Sequence, residues 1–111
     1  MPAAARVGDT IATGHGCDTV STIAGPGNPR VMIEGQPAAT VGDLSDPHTY
    51  GVPPFCISHT MPITTGCPKV WVGGKHIAMF GSQIDSGTVT GGASRVSVCN
   101  PENAVPETGE V

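Results

Sequence analysis

Apolar residues in this chain alternate at period two, in short bursts separated by turn residues. Val31-Met32-Ile33, Val70-Trp71-Val72 and Val96-Ser97-Val98 each place two branched apolar side chains on one face of an extended segment. A basic residue, Arg30, Lys69 or Arg95, stands just before each of them. A second pattern recurs as well: Ala3-Ala4-Ala5-Arg6-Val7-Gly8-Asp9 is echoed by Pro37-Ala38-Ala39-Thr40-Val41-Gly42-Asp43 and, in degraded form, by His76-Ile77-Ala78-Met79-Phe80-Gly81-Ser82. Each is a small-residue stretch closing on Gly, as a strand running into a turn would be. The chain therefore predicts three copies of one plan: strand, Gly-Asp turn, excursion, strand. Gly8 to Gly42 is 34 residues and Gly42 to Gly81 is 39, so the excursions vary in length while the strands recur, as expected of loops gathered at one end. The expectation is an all-β body with pseudo-threefold symmetry, its strand faces packed around an axis.

Composition sharpens this picture. A length of 111 residues has room for one domain. Gly 16 and Pro 11, with a single Leu at Leu44, argue against any helix longer than about two turns. Glu102, Glu107 and Glu110 follow the last repeat, so residues 1–100 carry five basic and six acidic groups and are nearly neutral. Five scattered Lys and Arg form no cluster that could track a phosphate backbone, which excludes nucleic acid as a partner. No apolar run reaches the roughly 18 residues of a membrane span, and the N-terminus has neither the basic nor the apolar region of a signal peptide. The domain is expected over residues 1–100, with 101–111 a short polar tail.

Candidate chemistry sits in the excursions. His15 follows the first Gly-Asp turn; His48, Cys56 and His59 follow the second. Three imidazoles and one thiolate make a full tetrahedral set for a structural Zn²⁺, and Cys56-x2-His59 has ligand-like spacing. His59 and Asp85 each lie eleven residues before their repeat's strand, counted to Val70 and Val96, which gives His15, His59 and Asp85 related positions around the axis. On this reading the third copy has lost its ligand at Asp85, while the second has gained His48 and Cys56. A body with two Phe, one Trp and one Tyr buries little, so a metal staple would supply stability that its core cannot. The competing reading is disulfide bonding in a protein that works outside the reducing cytosol: the four Cys allow two bridges in three possible pairings, or a single bridge such as Cys17–Cys67. Cys17 ranks below Cys56 as a ligand, Cys99 reads as a buried or terminal thiol, and His76 as a strand residue with no metal role.

The two Ala-rich Gly-Asp segments and the recurring Val strands resemble the PAAR-repeat proteins, which cap the spikes of type VI secretion systems and of related contractile phage tails. The resemblance covers residues 1–100. It implies a small β-structured cone whose broad base sits on a trimeric β-helical spike and whose apex is held by one structural zinc on three His and one Cys, here matched by His15, His48, Cys56 and His59. It further implies a non-enzymatic, membrane-piercing tip, one copy per spike trimer, that meets a target cell envelope transiently. Such a tip would travel in a virion or leave through a type VI-like machine. The alternatives are a disulfide-stapled extracellular binding module and a small zinc hydrolase, the latter requiring an open metal position or a Cys56/His59 nucleophile pair.

Overall fold

The computed structural model describes residues 2–99. Among these there is no helix, and the chain runs through eleven short strands. In chain order they are β1 (Thr10–Ala12), β2 (Val20–Gly25), β3 (Asn28–Ile33), β4 (Gln36–Ala38), β5 (Leu44–Ser45), β6 (His48–Val52), β7 (Phe55–His59), β8 (Cys67–Val72), β9 (Lys75–Ile77), β10 (Gln83–Ile84) and β11 (Gly87–Val89). The expected tail, 101–111, lies outside the described residues.

The three copies close into a ring. The amide of Ala5 donates to the Ala78 carbonyl, Ala78 to Ala39, and Ala39 back to Ala5, at 2.9, 2.8 and 3.0 Å. A second cycle repeats the pattern alongside: Val7 to Pro37, Val41 to His76, Phe80 to Ala3. Each copy then makes the same turn, in which a backbone amide is capped by the side chain three residues on: Arg6 by Asp9, Thr40 by Asp43, Met79 by Ser82. The Asp or Ser at the end of the motif thus closes its turn by reaching back to the amide three residues before it, a role a hydroxyl oxygen fills as well as a carboxylate, which is why the third copy tolerates Ser82.

Successive residues point to opposite sides of the ring, as strand geometry requires. Ala4, Ala38 and Ile77 face one core together with Ile33, Cys67, Val72, Ala93 and Cys99. Ala5, Ala39 and Ala78 face a second core with Ile11, Ile23, Ile63, Ile84 and Val89. The first core carries two hairpins, β3–β4 and β8–β9. Their tight turns, Glu34-Gly35 and Gly73-Gly74, use positive φ at both positions, 51° and 86°, then 60° and 85°, the geometry that matches the twist of paired strands.

The third hairpin has no turn. Its two halves come from opposite ends of the described chain: the Ala4 amide donates to Val96 and the Val98 amide to Pro2, with Ala3 opposite Ser97. Two other links hold it. A disulfide joins Cys67 at the start of β8 to Cys99, and the Glu34 carboxylate accepts the Ser94 and Arg95 amides while pairing with Arg6. Cys99 is buried, as one of its two readings had it, but it is bonded rather than a thiol.

On the other side, β10-β11-β1-β2-β5 form one antiparallel sheet that curls around the second core. Strand β11 lies close against β1: a Cβ on Gly87 would collide with the Ala12 carbonyl oxygen. Gly87→Ala should consequently cost on the order of 2 kcal/mol or more, because backbone must shift to admit the methyl group. Urea or thermal unfolding would read this, and an unchanged midpoint would refute the close approach.

Glu34 gives a second expectation. The Arg95 amide is the largest influence on its carboxyl; desolvation opposes, and the Ser94 amide and Arg6 add to the hold, leaving the group below the ordinary glutamate range. A depressed carboxylate contributes stability that is complete above its unfolded value and is lost as pH falls through the folded one. Wild type should weaken below about pH 4, and Glu34→Gln should flatten that limb while lowering stability at neutral pH, as pH-dependent melting would show.

Candidate metal centre

Each copy sends one excursion beyond the second core. The first is the loop between β1 and β2, carrying His15. The second leaves β5, forms the β6–β7 hairpin and returns at Ile63, carrying His48 and His59 as the first cross-strand pair of the hairpin. The third has contracted to a two-residue turn, Asp85-Ser86, between Ile84 and Gly87. Asp85 adopts φ 58° there, a conformation that Asp tolerates better than most side chains. Gly14 lets the first loop approach that turn, since a Cβ on it would lie 2.5 Å from the Ser86 carbonyl oxygen.

The three excursions bring four side chains to one point. The Nε2 atoms of His15, His48 and His59 lie 2.7, 2.7 and 3.0 Å from the same oxygen, Oδ2 of Asp85. His59 Nε2 is 3.0 Å from that of His48 and 3.2 Å from that of His15. All four donor atoms fall within 4.8 Å of one another. Side-chain exposure runs from 2% at His48 and 4% at Asp85 to 12% at His15 and 22% at His59, so the point is largely screened from water. Burial pushes the Asp85 carboxyl up, but hydrogen bonds from His48 and His15 and the nearby charges of His15 and His59 outweigh it, holding the group below the usual aspartate range.

Hydrogen-bond donors and acceptors here call for either an added proton or a metal ion. His48 Nδ1 lies 3.0 Å from the Asp46 carbonyl oxygen, which can only accept, so Nδ1 carries a proton and donates it. With that proton on Nδ1, the contact from Nε2 to the carboxylate oxygen 2.7 Å away is a hydrogen bond only when His48 carries a second proton; otherwise both atoms are acceptors. Two such acceptors repel unless a proton or a metal ion stands between them. The carbonyl that fixes the tautomer is the outer-shell partner typical of a metal-bound histidine. A tetrahedral Zn²⁺ with bonds of about 2.0–2.1 Å would need donor separations of about 3.3–3.4 Å; five of the six separations here are shorter, at 2.7–3.2 Å, and the sixth, His15 to His48, lies within 4.8 Å.

Sequence reasoning placed His15, His48 and His59 correctly in these excursions, and the structure brings them together. Cys56 does not join them. It is bonded to Cys17 in a disulfide of sequence separation 39, and so has no thiolate to offer. The reason is strand parity: Cys56 and His59 are three apart on β7, and residues an odd number apart on a strand point to opposite faces. A Cys-x2-His pair converges on a turn or helix and diverges on a strand. The fourth group is Asp85, whose eleven-residue offset had matched that of His59. Two bridges form, one of the pairings that four Cys allow: Cys17–Cys56 and Cys67–Cys99, so the expected Cys17–Cys67 bridge is not one of them. Sequence reasoning also missed Tyr50, whose ring stacks on His59 with centroids 4.3 Å apart, and which shares the His59 face of the hairpin. His76 packs its ring edge against Trp71 on the other side of the molecule.

A family model, the PAAR motif, matches residues 13–91, spanning all three excursions and all four converging residues. The chain belongs to the PAAR motif family. Members of this family are associated with the spike tips of contractile injection systems. A search of curated proteins gives no match to this PAAR chain.

Metal-stripped PAAR chain should take up one equivalent of Zn²⁺. At a free concentration a hundredfold above Kd the gain is about 2.7 kcal/mol, or about 10 °C or more in Tm for a body of this size. Asp85→Ala and His59→Ala should lose both uptake and shift, while the Cys17→Ser/Cys56→Ser double variant keeps its equivalent. Metal retained by Asp85→Ala would place the fourth donor elsewhere.

Proposed function

We propose that this chain is the non-enzymatic tip of a contractile injection machine, capping a trimeric spike with one copy and holding its apex together with one structural zinc. The observation that carries this reading is the closed cycle of hydrogen bonds through Ala5, Ala39 and Ala78. A single chain that repeats itself around an axis can offer a true homotrimer three similar contacts from one molecule.

The face suited to that partner is built from the hairpins of the first core. Val31, Met32, Trp71 and Val96 are exposed there, beside exposed Arg30, Lys69 and Arg95 at matching positions. An unpartnered apolar surface of this kind marks an interaction site. The opposite end follows from chain order, because every excursion departs from residues of the second core. There His15, His48, His59 and Asp85 would hold the zinc, with three nitrogens and one oxygen filling its four positions. The metal would supply cross-links between three otherwise separate loops, and with no position left open it would activate no water. Under axial load, fraying the apex would then require breaking metal bonds as well as the Cys17–Cys56 bridge.

Disulfides persist in oxidising surroundings, which suits a part that ends its work outside the reducing cytosol, in a virion or after passage through a type VI-like machine. The two bridges equally favour a disulfide-stapled extracellular binding module. That reading leaves the threefold cycle without a purpose. A transient encounter with the target envelope and no contact with nucleic acid complete the proposal.

Mixed with the spike protein of its own system, the chain should bind at one copy per three spike chains, read by native mass spectrometry or light scattering. Three copies per trimer, or no complex, would remove the capping role. Met32→Asp/Trp71→Asp should weaken the complex at least tenfold and leave metal uptake intact.

A further inference from the structure

The β6–β7 hairpin does more than hold two histidines. Directly opposed residues of an antiparallel pair share a face, and one face of this hairpin runs His48/His59, Tyr50/Ile57, Val52/Phe55 from root to tip. The gradient along it is steep. His48 is buried and Tyr50 half-buried, while Ile57 is 60%, Val52 74% and Phe55 79% exposed. The opposite face carries Cys56, bonded to Cys17, and Thr49, whose amide and hydroxyl both donate to Asp18. Among the described residues, the hairpin is therefore braced along one face and has nothing packed over the apolar tip of the other.

Its composition separates it from the other two hairpins. Strands β3–β4 and their turn contain Arg30 and Glu34, and β8–β9 contain Lys69 and Lys75. From Pro47 to Pro68 there is no charged residue at all. The turn is Pro53-Pro54, which presents no backbone N–H, so the leading edge carries no donor that would need water. A protein partner would ordinarily meet a polar or charged rim around such side chains. Here the tip itself has no charged rim, charge entering only at the root where the exposed Asp18 carboxylate holds Thr49, and behind the apolar tip comes Tyr50, a residue suited to the level of lipid headgroups.

We propose that the tip of the β6–β7 hairpin is a lipid-contacting element, seating Val52, Phe55 and Ile57 among the outer acyl chains of a bilayer with Tyr50 at the headgroup level. This deepens the tip reading and rests on it for direction, since the hairpin must lead away from the spike. Attraction is apolar, so contact needs neither anionic lipid nor low salt.

The test uses the full chain in a Trp71→Phe background with Phe55→Trp as the sole indole. Vesicles of zwitterionic phosphatidylcholine, with and without brominated acyl chains, are the probe. The expected result is a blue-shifted emission quenched by the brominated lipid, insensitive to 0.05–0.5 M salt, with partitioning reduced about tenfold or more by added Val52→Ser/Ile57→Ser. Retention of one metal equivalent and of the parent melting curve checks that each variant is folded. Emission unmoved by vesicles would overturn the proposal. So would binding that demands anionic lipid and vanishes with salt, or a blue shift without lipid accompanied by dimers in light scattering, which would make a second copy the occupant. Spike stoichiometry is measured without lipid and partitioning without spike, so the capping role and the lipid contact can fail separately.

Discussion

Three alanine amides and three alanine carbonyls, passed in a circle from Ala5 to Ala78 to Ala39, set the terms for everything else in this molecule. For backbones from three copies to bond to one another around an axis, the side chains beside that axis must be small. Ala4, Ala5, Ala38, Ala39 and Ala78 are all fully buried. The repeated Ala-Ala pair is thus a steric requirement, with one methyl group directed to each core. The third copy replaces the first alanine of the pair with Ile77, which faces the core lined by Ile33 and Val72 and finds room there. Cores made of alanine and isoleucine bury modest area per residue, so cross-links take a larger share of the work than in a domain of the same length with aromatic packing.

The cross-links sit where covalent continuity is weakest. Two hairpins on the first core close through tight turns; the third is assembled from Pro2–Ala4 and Val96–Val98 with no turn between them. Cys67–Cys99 and the Glu34 carboxylate tie that third unit to its neighbours. At the other end, the first loop and the long hairpin are tied by Cys17–Cys56. In the chain-entropy view, loops of 32 and 39 residues make each bridge worth roughly 4 kcal/mol, a sum comparable to the whole stability of a small domain. Neither bridge crosses from one core to the other, so each end is secured separately and the alanine ring joins them.

What could be read from the sequence follows this division. Period-two alternation, the recurring Gly-Asp turns and the unequal spacing between them were enough for three β-copies around an axis, because local patterns dictate strands and turns. Three of the four converging residues were legible for the same reason: they sit at homologous points of the excursions. Asp85 was visible by position but read as a loss, since a contraction from loop to two-residue turn leaves no trace in a list of residue types. Cys56 failed on conformation. Its spacing to His59 suits a metal pair only if the segment is a turn, and the Pro53-Pro54 step that punctuates it turned out to join two strands. Disulfide pairing depends on which segments the ring brings side by side, information that spacing does not carry.

A threefold body faces an arithmetic problem in building a tetrahedral site. Symmetry supplies donors in threes, and a closed structural zinc takes four. One copy must therefore contribute twice, and a second donor from the same excursion requires that the chain go out and come back. The second copy does so with β6 and β7, so His48 and His59 arrive as opposed residues of one antiparallel pair. Any strand pair that delivers both histidines at its root must also carry a turn at its far end, and among the described residues no further core lies at this end to receive it. The projecting apolar tip is thus coupled to the demand for a fourth donor. Shortening the hairpin to remove the tip would also remove the register that holds His48 beside His59, so the exposed apolar end and the end that would clamp the proposed zinc belong to the same pair of strands.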